Sequence, residues 1–164
     1  MSKLENMRGI EIPAFRAVSS GLKTNDELWG KGGFNDVWVD AHRHLFRQHL
    51  YEPSDFVWHE DGLSVWAFAI KDDVTAEDVA PCEIIDFPGG IFLVATGDES
   101  DNDDLEKTVS CMMDWIRNSP VFEYGDFPKS GMCNMPNPDG RFDGALGIAQ
   151  QQIYLPLKFR QKQA

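Results

Sequence analysis

The chain has 164 residues, a hydrophobic fraction of 42%, an aromatic fraction of 12% and a formal charge of −12. That length and composition fit one packed domain and exclude a disordered tail. The acidic balance argues against direct contact with nucleic acid or an anionic membrane, and no apolar run is long enough to span a bilayer.

The first element is an apolar strand over residues 8–21, broken or bulged at Pro13, where no backbone N–H is available for a ladder. Residues 22–33 read as a polar, glycine-rich loop carrying Trp29. Phe34, Val37, Trp38, Ala41 and Leu45 then recur at helical spacing, predicting a helix that runs to about Leu50 and stops before Pro53. Residues 56–60 and 64–70 form two strands joined at Asp61-Gly62, a short hairpin signal. A charged connector follows over 71–81.

The second half opens with a strand from about Cys82 to Thr96. The acidic stretch Gly97–Asp104 leads into a helix with the stripe Leu105, Val109, Met112, Met113 and Ile116. Asp103 and Glu106 have capping-box spacing at its start. A short strand is expected over 121–124. Residues 125–149 form a long Gly- and Pro-rich loop with turn chemistry at Pro138-Asp139-Gly140, and a final strand runs from Gln151 to Phe159.

The two halves echo each other. Ile12-Pro13-Ala14-Phe15 and Phe87-Pro88-Gly89-Gly90 both open an apolar strand that ends at glycine, Gly21 or Gly97. The prolines stand about 75 residues apart. That period is too long for a solenoid and marks two copies of one unit, about 8–75 and 82–160. The expectation is an α+β fold: two pseudo-symmetric strand-helix-strand-strand modules, an antiparallel sheet with helices on one face, and a groove between the halves.

The order of elements, the opening Ile12-Pro13-Ala14-Phe15-Arg16 and the closing Ile153-Tyr154-Leu155-Pro156-Leu157 together resemble the GyrI-like, or AraC-type, effector-binding domains of bacterial transcription regulators. The likeness covers about residues 8–160. It implies a single effector-binding domain over 1–164 and a ligand groove between the repeats. Relatives bind drugs, dyes or metabolites there, often hydrophobic cations. Some free-standing relatives look like hydrolases of reactive small molecules, and others are gyrase-inhibitor-like protein-binding modules. The family commonly places a glutamate directly before the final strand motif, where this chain has Gln152. A carboxylate there would stabilise a cation or act as a base, whereas an amide only hydrogen-bonds. A second family glutamate follows a phenylalanine in the preceding loop. Its match here is either Phe127-Pro128 or Phe142-Asp143.

Strand alternation divides the candidates. Ile153, Leu155 and Leu157 face the core, and Gln150, Gln152 and Tyr154 face the groove. In the first half Trp66, Phe68 and Ile70 form the core face, leaving Val65, Ala67 and Ala69 toward the groove, where small side chains either leave room for a ligand or admit a close neighbour. The ligand-binding candidates are therefore Trp29, Trp38, Val65, Ala67, Phe92, Gln152 and Tyr154. Trp29 is a loop aromatic free to stack, and Tyr154 carries both a ring and a hydroxyl. For Trp38 a place in the helix core competes with that role.

No catalytic residue, metal site or cofactor motif is identified. The four histidines share no metal-binding arrangement, the acidic loop lacks the Gly and Glu of a calcium loop, and Gly30-Lys31-Gly32-Gly33 lacks phosphate-loop spacing. Cys82, Cys111 and Cys133 are odd in number and unpaired in spacing, as in a cytoplasmic protein. The expected partner is a small organic ligand. With no helix-turn-helix segment in the chain, any DNA-binding domain lies elsewhere, on this protein or another. The alternatives, a small hydrolase of reactive or xenobiotic compounds and a protein-binding module, remain open. The hydrolase would depend on a carboxylate in the groove, Asp143 or Glu60, or on an activated tyrosine.

Overall fold

A computed structural model describes residues 6–48, 54–136 and 140–161. In chain order its strands are β1 (Met7–Ile12), β2 (Phe15–Ser19), β3 (Asp55–Glu60), β4 (Leu63–Ala69), β5 (Glu83–Phe87), β6 (Gly90–Asp98), β7 (Phe122–Tyr124), β8 (Met132–Asn134) and β9 (Gln150–Phe159). Its α-helices are α1 (Asn25–Trp29), α2 (Asp40–His42), α3 (Ala76–Val79), α4 (Asn102–Asn118) and α5 (Gly140–Leu146). A π-helical turn (Asn35–Val39) and a 3-10 turn (Arg43–Leu45) flank α2. The architecture is α+β with antiparallel strands. Among the described residues no helix is long and apolar enough to cross a membrane.

The chain divides into two compact units, Pro13–Gly89 and Met1–Ile12 with Gly90–Ala164. Within the first the strand order is β3-β4-β2-β5. Within the second it is β8-β9-β6-β1, with β7 also on β9. The two orders correspond strand for strand. The strand ahead of each repeat changes sides: β1 precedes β2 yet pairs with β6, and β5 precedes β6 yet pairs with β2. Pro13 and Pro88-Gly89 mark the two crossings. The single strand expected over 82–96 is thus two strands, separated where Pro88 lacks a donor and Gly89 and Gly90 adopt φ of 71° and 144°.

In the first unit one sheet face carries Val18, Phe68 and half-buried Trp66 against Leu28, Phe34, Trp38 and Val39. The Asp61-Gly62 hairpin forms as expected, with φ of 49° and 80°. The expected helix from Phe34 does not run to Leu50. Leu50 and Pro53 lie outside the described residues, but the helical segment already ends at Leu45. Phe46 turns extended and stacks on Phe68 at 4.4 Å. The π turn also rotates the stripe: Val39 is buried and Val37 exposed, because i→i+5 bonding winds the chain wider than the 3.6-residue period. The 22–33 loop contains α1, opened by a reciprocal capping box between Thr24 and Glu27, and the 71–81 connector contains α3, opened the same way by Thr75 and Asp78.

In the second unit α4 packs Met112 and Ile116 onto Leu93, Ala95, Ile153, Leu155 and Leu157. Its N-cap is Asp101, whose carboxylate accepts from the Asp104 N–H at 3.1 Å, not the Asp103–Glu106 pair. Asp104 itself turns inward and accepts from the Asp98 N–H at 2.9 Å. The 125–149 segment is not all loop: it holds β8 and α5. Pro138 and Asp139 of the expected turn lie outside the described residues.

Candidate ligand sites

In the second unit, β9 alternation turns Gln152 and Tyr154 away from α4 and its core. Register places Gln152 between Thr96 and Asn134, and Tyr154 between Val94 and Met132. Tyr154 is fully buried, with Asn134 at 3% and Gln152 at 9% exposure. The Tyr154 hydroxyl lies 2.5 Å from Gln152 Oε1 and 3.3 Å from Asn134 Oδ1. One hydroxyl has one proton, so two carbonyl oxygens compete for it. Asn134 Nδ2 is buried and has no hydrogen-bond partner. A buried donor left unpaired costs about 1–3 kcal/mol, so the cluster is short of an acceptor. Phe92 stands edge-on to the Tyr154 ring at 6.4 Å, adding an apolar wall.

Sequence reasoning named Gln152, Tyr154 and Phe92 but missed Asn134. Its strand has three residues and sits among glycines and prolines. The sharper clue is Gly131, whose φ of 70° and close approach to the Tyr154 carbonyl bring β8 against β9.

In the first unit, Val65 and Ala67 lie on the sheet face opposite Trp66 and Phe68. Their cross-strand partners are large: Val65 pairs with Trp58 and Ala67 with Phe56. Phe15, Phe56 and Trp58 all gather around the Phe87 ring, at 4.8, 6.1 and 6.3 Å. Trp29 ends α1, 42% exposed, tilted against Trp66 at 5.7 Å. The Trp66 indole N–H donates to Asp55 Oδ2 at 2.9 Å, and burial still pushes the Asp55 carboxyl above the usual carboxylate range.

A cavity of about 480 Å³ opens on the first unit, between the end of β2, α1, the π turn and the start of β5. Lys23, Glu27, Phe34, Val37, Trp38 and Cys82 line it. Of the seven candidates only Trp38 lines this cavity. Thr24 donates to Glu27 through its backbone N–H and its hydroxyl, holding that carboxyl below its ordinary value. Burial pushes the Cys82 thiol up, and nearby Lys23 offsets this in part.

Of the two carboxylates that could serve a hydrolase, Glu60 is exposed and accepts from the Trp58 indole N–H at 2.9 Å. Asp143, on α5, has a buried Oδ1 without a hydrogen-bond partner. Among the described residues no group of three or more His, Cys, Asp or Glu side chains could hold a metal ion.

No protein-family model and no curated protein matches the chain. Solved structures do match its fold. SAV2435 bound to tetraphenylphosphonium aligns with a TM-score of 0.58 at 12% identity, covering 93% of this chain and 94% of that one. A Staphylococcus aureus MU50 protein, named as a candidate for bacterial transcription regulation, aligns at 0.55 and 9% identity, covering 93% and 98%. A hydrolase from Listeria innocua aligns at 0.63 and 12% identity, covering 93% and 92%. At such identities the likeness is one of fold, and it fits the GyrI-like architecture that the sequence motifs resemble.

Proposed function

We propose that this chain is a small-molecule binding domain of the effector-sensing type, taking a hydrophobic or cationic organic ligand at the cluster of Asn134, Gln152 and Tyr154. The observation that carries the reading is the buried, unpartnered Asn134 Nδ2 beside a tyrosine hydroxyl that two amide oxygens share. A ligand acceptor that reached that donor would satisfy it. The formal charge of −12 adds a weak long-range preference for cations. The tetraphenylphosphonium held by SAV2435 supports organic cations as a ligand class for this fold. The structural neighbour named for transcription regulation supports a regulatory role. Three free cysteines fit a cytoplasmic setting.

The test is calorimetric titration with tetraphenylphosphonium and with a neutral, carbonyl-bearing planar dye. Saturable binding of the carbonyl-bearing dye that weakens about tenfold in Asn134→Ala supports the site, whereas tetraphenylphosphonium has no acceptor for that donor and should bind the variant equally well. No saturable binding of either probe refutes the reading.

Hydrolysis is the second reading, favoured only by the unpartnered Asp143 Oδ1 and the hydrolase neighbour. It requires turnover of a reactive electrophile that Asp143→Asn abolishes.

A further inference from the structure

The cavity on the first unit carries two opposite charges that do not meet. Lys23 is the one cation among its lining residues and Glu27 the one carboxylate. Each is held by the backbone around it. Lys23 exchanges two backbone hydrogen bonds with Ser64, of 2.9 and 2.7 Å. Glu27 closes the capping box of α1, where its Oε2 accepts from the Thr24 N–H at 2.8 Å and from the Thr24 hydroxyl at 2.9 Å. The cap fills Oε2 and leaves Oε1 to accept from elsewhere. Among the described residues, the half-buried Lys23 makes no ammonium hydrogen bond or ion pair, with Glu27 or with any other group.

The Lys23 charge nevertheless reaches the lining. The Thr24 hydrogen bonds hold the Glu27 carboxyl below its ordinary value, and the Lys23 charge adds to them. At Cys82 burial pushes the thiol up, and the same charge opposes it. An ammonium that acts on two lining groups stands beside the cavity.

These charges decide the ligand. A simple anion would be drawn by Lys23 and repelled by Glu27, and a simple cation the reverse. A molecule that carries both charges a few atoms apart is attracted by each, and with no net charge it is not repelled by the chain's formal charge of −12. Phe34, Val37 and Pro81 supply an apolar wall, and Val37 stands 67% exposed with surface left to cover. We propose that this cavity is a second, independent site for a zwitterionic α-amino acid with an apolar side chain. Its carboxylate accepts from Lys23, its ammonium donates to Glu27 Oε1, and its side chain rests on Phe34 and Val37. The volume of about 480 Å³ lies within the range of small-molecule pockets.

The probes are L-phenylalanine, phenethylamine, which lacks the carboxylate, and 3-phenylpropionate, which lacks the ammonium. Calorimetric titration of the wild-type chain should show saturable binding of L-phenylalanine, with each of the other two about fivefold weaker, the worth of one solvent-screened charge contact. Lys23→Met keeps the apolar stem. It should weaken L-phenylalanine about fivefold and leave phenethylamine no weaker. Glu27→Gln keeps the capping box. It should weaken L-phenylalanine by the same factor and leave 3-phenylpropionate no weaker. Asn134→Ala should change none of the three, which separates this site from the cluster in the second unit. The wild-type comparison decides the matter even where a variant does not fold. No saturable binding of L-phenylalanine at millimolar concentration, equal affinity of the wild type for all three compounds, or L-phenylalanine binding unmoved by either charge variant overturns the inference.

Discussion

Asp55 sits across the β3–β4 ladder from Phe68 and accepts the Trp66 indole N–H, so a carboxylate is held on the sheet face that packs against the helices. Burial raises its pKa more than that hydrogen bond lowers it. With the folded value above the unfolded one, the group's contribution to stability is present at low pH and is lost as pH rises through the folded value. Asp55→Asn keeps an acceptor for Trp66 and removes the charge. The variant should melt a few °C higher at pH 7, and the gain should vanish near pH 3, below both values. Thermal melts across that range check it; a gain independent of pH would refute the assignment.

Gln152→Glu should convert the buried cluster into a cation site. A carboxylate beside Tyr154 should tighten tetraphenylphosphonium binding about tenfold and leave a neutral dye unimproved. The same change buries a charge, so the unliganded variant should lose about 1–3 kcal/mol at neutral pH and recover in acid as the carboxyl protonates. Paired titration and denaturation at two pH values check both halves.

Met112 is fully buried where α4 meets β6 and β9. Met112→Ala should cost about 2–5 kcal/mol, through lost burial plus the void left behind. Urea unfolding measures it.

Gly33 closes the loop beside α1 and lines the Trp38 cavity. An added Cβ would lie 2.8 Å from the carbonyl oxygens of Glu27 and Gly30, both backbone and unable to swing away. Gly33→Ala should cost about 1–3 kcal/mol. Gly144→Ala, in α5 with nothing near its Cβ, should be neutral or slightly stabilising. Denaturant midpoints of the two variants compare them directly.

Strand periodicity was the legible part of the chain. Alternation alone separated Trp66 and Phe68 from Val65 and Ala67, and Ile153 and Leu155 from Gln152 and Tyr154, because a period of two leaves no ambiguity once one face is apolar. The helix after Phe34 was less legible, since a π turn shifts the buried set to Val39 without changing composition. α1 and α3 could have been read from Thr24–Glu27 and Thr75–Asp78, whose three-residue spacing is the cap itself. Asn134 was hidden because three strand residues carry no periodicity. The unpaired Trp38 N–H is invisible to sequence, because whether a donor is satisfied depends on what stands beside it.

The exchange of β1 and β5 bears on where the gene could be divided. Cutting between the repeats near residue 80 would give each fragment the wrong outer strand, whereas residues 13–89 keep all four strands of one unit contiguous. Residues 90–161 lack β1 and would leave the flank of β6 open to any passing strand, an invitation to aggregate. Two unfused copies could have completed each other only by trading their leading strands.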